Sequence, residues 1–177
     1  MIFREIKLKG AYILEVECLD DKRGFFARTF CREEFEKRAL NPRVDQCSVS
    51  YNRKTGTLRG LHYQVAPFSE AKLVTCLAGS IYDVVIDLRP ESPTYCDWYA
   101  VELSACHPRS MLYIPENFAH GFQTLADDTE VFYQMSESYH PESARGLRWN
   151  DRAFNIHWPA GERIMSQRDQ TFPDFVR

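Results

Sequence analysis

His62 in RGLHYQ (59–64) and Lys72 in EAKLV (70–74) stand ten positions apart on two runs that alternate like strands. A neutral imidazole can take a proton from a carbon beside a carbonyl, and an ammonium group can hold the oxyanion that results. The two strands read as neighbours, so the pair stands side by side and supplies both needs of a carbon-acid reaction. Tyr133 adds a third group. In TEVFYQM it alternates with Val131 and Met135 on an otherwise apolar face, where a phenol calls for a hydrogen-bond partner or a ligand. His120, after PENFA and before Gly121, lies at a strand entry. Each histidine alone reads as structural as readily as chemical, and the signal lies in the set.

The elements that must position these groups are strands. Short runs of β-branched and aromatic residues are separated by Gly, Pro, Asn and Asp, the pattern of an antiparallel sandwich or barrel. Strands are expected near 10–17, 25–30, 46–52, 57–64, 72–78, 81–88, 98–104, 111–114, 119–125 and 130–136. CREEFEKRAL (31–40) reads as a surface helix stopped by Asn41 and Pro42, and the segment after Trp158 as an irregular cover. In SIYDVVIDLR, Ile81, Asp83, Val85 and Asp87 share one face, so two inward aspartates need partners. A hairpin through Ala78, Gly79 and Ser80 offers Lys72 to Asp83. Arg59 and His62 would point to opposite faces of a regular strand, and a bulge at Gly60 would bring them to one site.

Composition narrows the partners. The 177 residues, 44% hydrophobic and 14% aromatic, suffice for one substantial core, so a single domain over 1–177 is expected. The net charge of -3, with no basic run, excludes a nucleic-acid footprint, and any phosphate must be held by a few local arginines. Charges interrupt the apolar N-terminus and no long apolar stretch follows, so neither a signal peptide nor a membrane span is read and a cytoplasmic protein is expected. Six cysteines without a CxxC spacing read as reduced side chains, most of them filling the core. Metal-dependent chemistry would need several histidines and a carboxylate, usually with an HxH pair, and His62 is followed by Tyr63 and Gln64 instead.

Taken together, RGFF (23–26), TLRGLHYQ (57–64), AKLV (71–74), DVVIDLRPESPTY (83–95), IPENFAHGFQTL (114–125), EVFYQ (130–134) and RGLRWND (145–151) resemble, in order and spacing, the dTDP-4-dehydrorhamnose 3,5-epimerase family over nearly the whole chain. The resemblance implies an all-β, cupin-type jelly roll. It further implies a homodimer that exchanges an N-terminal strand and epimerises a nucleotide-diphosphate-linked 4-keto-6-deoxyhexose without cofactor or metal. By that resemblance His62 is the base, Asp169 its orienting aspartate, Lys72 the enolate cation and Tyr133 the acid. Arg23, Phe26, Gln46, Arg59, His120 and Tyr139 match substrate-binding positions. Arg28, Ser48 and Ser138 depart from the residues usual in the family near nucleotide and sugar, so the resemblance bears more on the chemistry than on the base. The alternatives are a keto-isomerase of the same fold, a metal-dependent cupin enzyme and a sugar-binding cupin without catalysis.

Overall fold

A computed structural model describes residues 1–106 and 110–176. Six strands form one sheet in the spatial order β1 (Ile2–Glu5), β2 (Tyr12–Glu15), β10 (Ser110–Ile114), β7 (Lys72–Ala78), β12 (Thr129–Met135) and β5 (Gln46–Asn52). Five form a second sheet in the order β13 (Ala144–Gly146), β6 (Leu58–Gln64), β11 (Phe118–Thr124), β8 (Ser80–Asp87) and β9 (Trp98–Ser104). A separate hairpin pairs β3 (Cys18–Asp21) with β4 (Gly24–Ala27). Neighbouring strands in the sheets run antiparallel, and the result is the double-sheet jelly roll expected from the strand pattern.

Period-2 alternation explains how the sheets close on each other. Val74, Cys76, Val131, Leu112 and Ile114 of the first sheet meet Ile81, Val85, Leu103, Phe118 and Phe122 of the second in one buried cluster. Leu14, Leu73, Met111 and Tyr113 face the other way and pack under Phe35 of α1 (Arg32–Glu36). Leu61, Val84, Ile86 and Ala119 lie on the outer face of the second sheet, with Phe154, Trp158 and Phe175 of the C-terminal segment against them. That segment is irregular, as expected, apart from α2 (Gln167–Gln170). Cys76 and Cys96 are core residues, whereas Cys47 and Cys106 are exposed, so core filling accounts for only part of the cysteine set.

Several expectations are corrected. The strands of His62 and Lys72 are not neighbours. β6 belongs to the second sheet and β7 to the first, because the connection Val65–Ala71, with Pro67 inside it, crosses between them. For the same reason β7 and β8 do not form a hairpin ladder, and Lys72 does not serve Asp83. Lys72 pairs with Glu70 at 3.0 Å, and Asp83 with His120 at 2.5 Å. Asp87 is held by Arg89, Ser92 and Thr94. The helix expected over 31–40 ends early. Ala39 adopts φ 54, and Leu40 N–H closes on Phe35 O at 3.1 Å while Ala39 N–H closes on Glu36 O at 3.0 Å. This is a Schellman closure, which ends the helix locally before Asn41 and Pro42 are reached. The strand expected at 25–30 is Gly24–Ala27, and its partner Cys18–Asp21, an acidic run with little β pattern, was not expected.

The bulge at Gly60 is present. His120 pairs with His62 and Phe122 with Arg59, so Gly60 and Leu61 together oppose Gly121 alone. The extra residue turns Arg59 and His62 to the same side. Gly60 has φ +127, and a Cβ there would lie 2.5 Å from Gly121 Cα and 3.0 Å from His120 O. Both obstacles are backbone, which cannot give way without moving β11. Gly60→Ala is therefore expected to lower unfolding free energy by about 2–4 kcal/mol, read from urea titration at constant m. A loss below about 0.5 kcal/mol, the range of a neutral surface change, would show that the bulge tolerates a side chain.

Candidate functional site

Inward positions near one end of the sandwich carry polar side chains instead of apolar ones, and there the two sheets enclose a cavity of about 700 Å³. Arg59, His62, Lys72, His120, Tyr133, Tyr139 and Asp169 all line it. The walls have different origins. His62 and His120 come from β6 and β11 of one sheet, while Lys72 and Tyr133 come from β7 and β12 of the other.

Asp169 reaches the cavity from α2. Ser166 caps that short turn, its Oγ accepting from Asp169 N–H at 3.1 Å, and the carboxylate points at β6. Its Oδ1 lies 2.8 Å from His62 Nε2, and its Oδ2 accepts from Gly60 N–H at 3.3 Å. Burial pushes the Asp169 carboxyl up, but the hydrogen bond and charge of His62, with the Gly60 and Ser166 contacts, outweigh it and hold the pKa below the usual value. An ionised Asp169 takes the Nε2–H of His62 and leaves Nδ1 as the basic nitrogen. Phe172 stands edge-on to the imidazole, with ring centroids 6.0 Å apart.

A second histidine–aspartate pair has its histidine in the cavity wall and its aspartate behind it. His120 Nε2 is 2.5 Å from Asp83 Oδ1, and Asp83 is fully buried with Oδ2 lacking a partner. The His120 ring meets Tyr133 edge-on at 6.0 Å. Burial first, and then the Asp83 charge, raise the Tyr133 pKa far above the usual phenol value against the opposing pull of Arg59. Tyr133 is therefore a protonated phenol at neutral pH.

At the rim, Arg59 Nε donates to Asn52 Oδ1 at 2.8 Å, and Arg145 Nη1 donates to the carbonyls of Glu142 and Ala144 at 2.8 and 2.9 Å. Both guanidinium groups meet neutral oxygens in these contacts and keep their charge for an anion. Gln46 is not in the wall, but its Oε1 accepts Tyr139 N–H at 2.9 Å and fixes the segment that presents Tyr139. Arg23 and Phe26 are not brought to this cavity. Both sit on the β3–β4 hairpin, Arg23 paired with Asp21 at 2.5 Å and Phe26 73% exposed. Sequence reasoning did not select Glu70, Gln64 or Arg145, which also line the cavity. For Glu70 a signal existed, since a carboxylate two positions before Lys72 falls on the same face of an extended chain.

Among the described residues there is no group of three or more His, Cys, Asp and Glu side chains placed to hold a metal ion, and no helix long and apolar enough to cross a membrane.

Comparison with known proteins agrees with this geometry. The family model for dTDP-4-dehydrorhamnose 3,5-epimerase matches residues 5–176. A dTDP-4-dehydrorhamnose 3,5-epimerase of Shigella flexneri is 40% identical over 171 residues, covering 96% of this chain and 93% of that protein. The crystal structure of the Bacillus anthracis enzyme of the same name, with TDP and PPi bound, superposes with a TM-score of 0.93 at 37% identity, covering 98% of this chain and 99% of that one. A 3'-monoepimerase from Streptomyces bikiniensis, in complex with dTDP-quinovose, superposes with a TM-score of 0.88 at 30% identity over 96% of this chain and 85% of that one. Its double-sheet fold is thus the cupin-type jelly roll of these epimerases, and the chain belongs to the dTDP-4-dehydrorhamnose 3,5-epimerase family.

Proposed function

We propose that the protein epimerises a dTDP-linked 4-keto-6-deoxyhexose at C3, C5 or both, by removing a proton beside the C4 ketone and returning one on the opposite face. The observation that carries this reading is the His62–Asp169 contact of 2.8 Å in one wall of a cavity whose other wall holds Tyr133. A sugar ring lying between the sheets then has a base on one face and an acid on the other.

The step balances as follows. His62 Nδ1 takes the proton from the carbon acid, and the C–H electron pair moves into the ring to make a C=C bond while the carbonyl pair moves to O4. Lys72 Nζ faces the enolate oxygen. A positioned cation in a water-poor cavity contributes several kcal/mol there, because effective dielectric is low and no reorganisation is needed. Tyr133 then delivers its proton to the opposite face of the carbon, and the imidazolium and tyrosinate exchange with solvent. Asp169 stabilises the imidazolium without itself taking the proton. Arg59 and Arg145 hold the diphosphate, His120 contacts the sugar or the phosphates, and Tyr139, held by Gln46, stacks on the base. No metal or organic cofactor has a task in this sequence.

Arg23 and Phe26 fit this reading through a homodimer. They stand exposed on the β3–β4 hairpin, whose Leu19 and Phe26 are 70% and 73% exposed, and β1 is an edge strand that here pairs only with β2 of its own chain. An open edge and bare apolar side chains call for a second copy, whose cavity the hairpin then serves. Light scattering at micromolar concentration is expected to give twice the chain mass. A monomer would remove both the dimer and the role of Arg23 and Phe26.

The reaction is tested by NMR of a dTDP-4-keto-6-deoxyhexose in deuterated water, with exchange at C3 and C5 read separately. His62→Ala is expected to abolish exchange at every carbon that the wild type labels, and exchange within a few-fold of wild type would remove His62 from the mechanism.

Tyr133→Phe separates the two half-reactions. Enolate formation needs His62 and Lys72 alone, so deuterium should still enter, while inversion slows by about two to four orders of magnitude, the usual worth of a positioned acid. Equal loss of exchange and inversion would mean that Tyr133 orients the sugar and that the acid is another group.

A further inference from the structure

Lys72 is a cation drawn into the interior, with its side chain only 10% exposed, and such a group needs a fixed counter-charge. Glu70 supplies it. Its side chain is 9% exposed, and Oε1 lies 3.0 Å from Lys72 Nζ. The other oxygen is not idle, since Gln64 Nε2 donates to Glu70 Oε2 at 3.3 Å. Gln64 is itself buried at 2% exposure, and the two hydrogens of its Nε2 are shared among three acceptors, Glu70 Oε2, Phe68 O and Ser138 O, the last two at 3.1 Å. Its Oε1 accepts His140 N–H at 2.6 Å. The Ser138 and His140 contacts flank Tyr139. His140 is also clamped from outside, its ring stacked on Phe68 at 3.5 Å and 6°.

We infer that Gln64 and Glu70 are paired positioning residues that fix Lys72 in the cavity and Tyr139 at its mouth as one unit. The inference rests on the epimerase reading above for the roles of Lys72 and Tyr139. Lys72 ends a flexible four-carbon stem, and a point charge on such a stem is aimed only by what holds it. Glu70 is the charged holder, with the His62 carbonyl a longer second contact at 3.5 Å, and Glu70 is held in turn by the amide that fastens the Ser138–His140 segment. Gln64 and Lys72 flank the crossing between sheets, and Glu70 lies within it. The triad thus spans the place where the two walls of the cavity are joined. A core requirement alone would be met by apolar side chains at 64 and 70, with less desolvation to offset.

Two variants test this, each measured for deuterium exchange into a dTDP-4-keto-6-deoxyhexose and for binding of dTDP alone by calorimetry. Glu70→Gln keeps shape and a hydrogen bond to Gln64 but removes the counter-charge. It is expected to lower kcat for exchange at least tenfold while KM and the dTDP dissociation constant stay within threefold. Gln64→Leu cuts the link to the Tyr139 segment and is expected to weaken dTDP binding at least tenfold as well as lowering kcat. If both variants change only the melting temperature, with kcat, KM and dTDP affinity within threefold of wild type, the pair is merely structural and the inference fails. Should Gln64→Leu not fold, Glu70→Gln decides the matter alone, a kcat within threefold of wild type overturning the inference. Failure of the underlying reading is distinct from this, because the wild-type protein itself would then show no exchange.

Discussion

The placement of Asp169 is the constraint on which the site depends. A carboxylate 5% exposed must find donors, and it finds them in one strand, β6: the His62 ring and the Gly60 amide. Each contact answers a different need. The imidazole receives a tautomer and a direction, and the bulge receives an acceptor for its amide. In the opposite sense the contact anchors the C-terminal segment, which has little regular structure of its own, across the end of the second sheet. Phe172, three residues on, packs against the backbone of Gly146, where a Cβ would come within 2.1 Å of its ring. Loss of the carboxylate would leave the Gly60 amide unpaired, at a cost of about 1–3 kcal/mol, besides freeing the histidine ring.

Inversion at a carbon requires groups on both faces of the substrate, and a sandwich whose two inner faces both carry polar side chains at one end meets that requirement without a moving part. His62 belongs to the five-stranded sheet, Lys72 and Tyr133 to the six-stranded one. Lys72 is rooted in the sheet of Tyr133, yet its Nζ reaches the His62 carbonyl of the other sheet at 3.5 Å, so the ammonium stands between the two walls.

The alternation of apolar side chains made the faces of β8 and β12 legible, because a one-residue slip would expose a whole row of core side chains. It placed Asp83 and Asp87 inward correctly and required partners for them. What alternation lacks is any record of which strands adjoin. The expected placement of Lys72 beside His62 and opposite Asp83 needs consecutive strands to pair, and that fails wherever a connection such as Val65–Ala71 crosses between sheets. The bulge was legible because Gly60 interrupts a strand pattern. Asp169 was not, since it lies in a tail with no periodicity and owes its burial to contacts more than a hundred residues away in sequence. Only the resemblance to a family pointed to it. Arg23 and Phe26 carried the same kind of signal, but their place is on a hairpin that leaves the cavity of its own chain.

Charge balance around the cavity sorts the remaining groups. His62 faces Asp169, His120 faces Asp83 and Lys72 faces Glu70, so each ionisable base in the wall has its own carboxylate. Each is thereby oriented, and in the Lys72–Glu70 pair the opposite charges limit the desolvation cost of placing them in a cavity. The guanidinium groups of Arg59 and Arg145 differ, since they donate to amide and carbonyl oxygens. Under the proposed function the diphosphate meets these two guanidinium groups at the rim, and the ketone lies toward Lys72, whose partner Glu70 is bonded to the same Gln64 that fastens the Tyr139 segment.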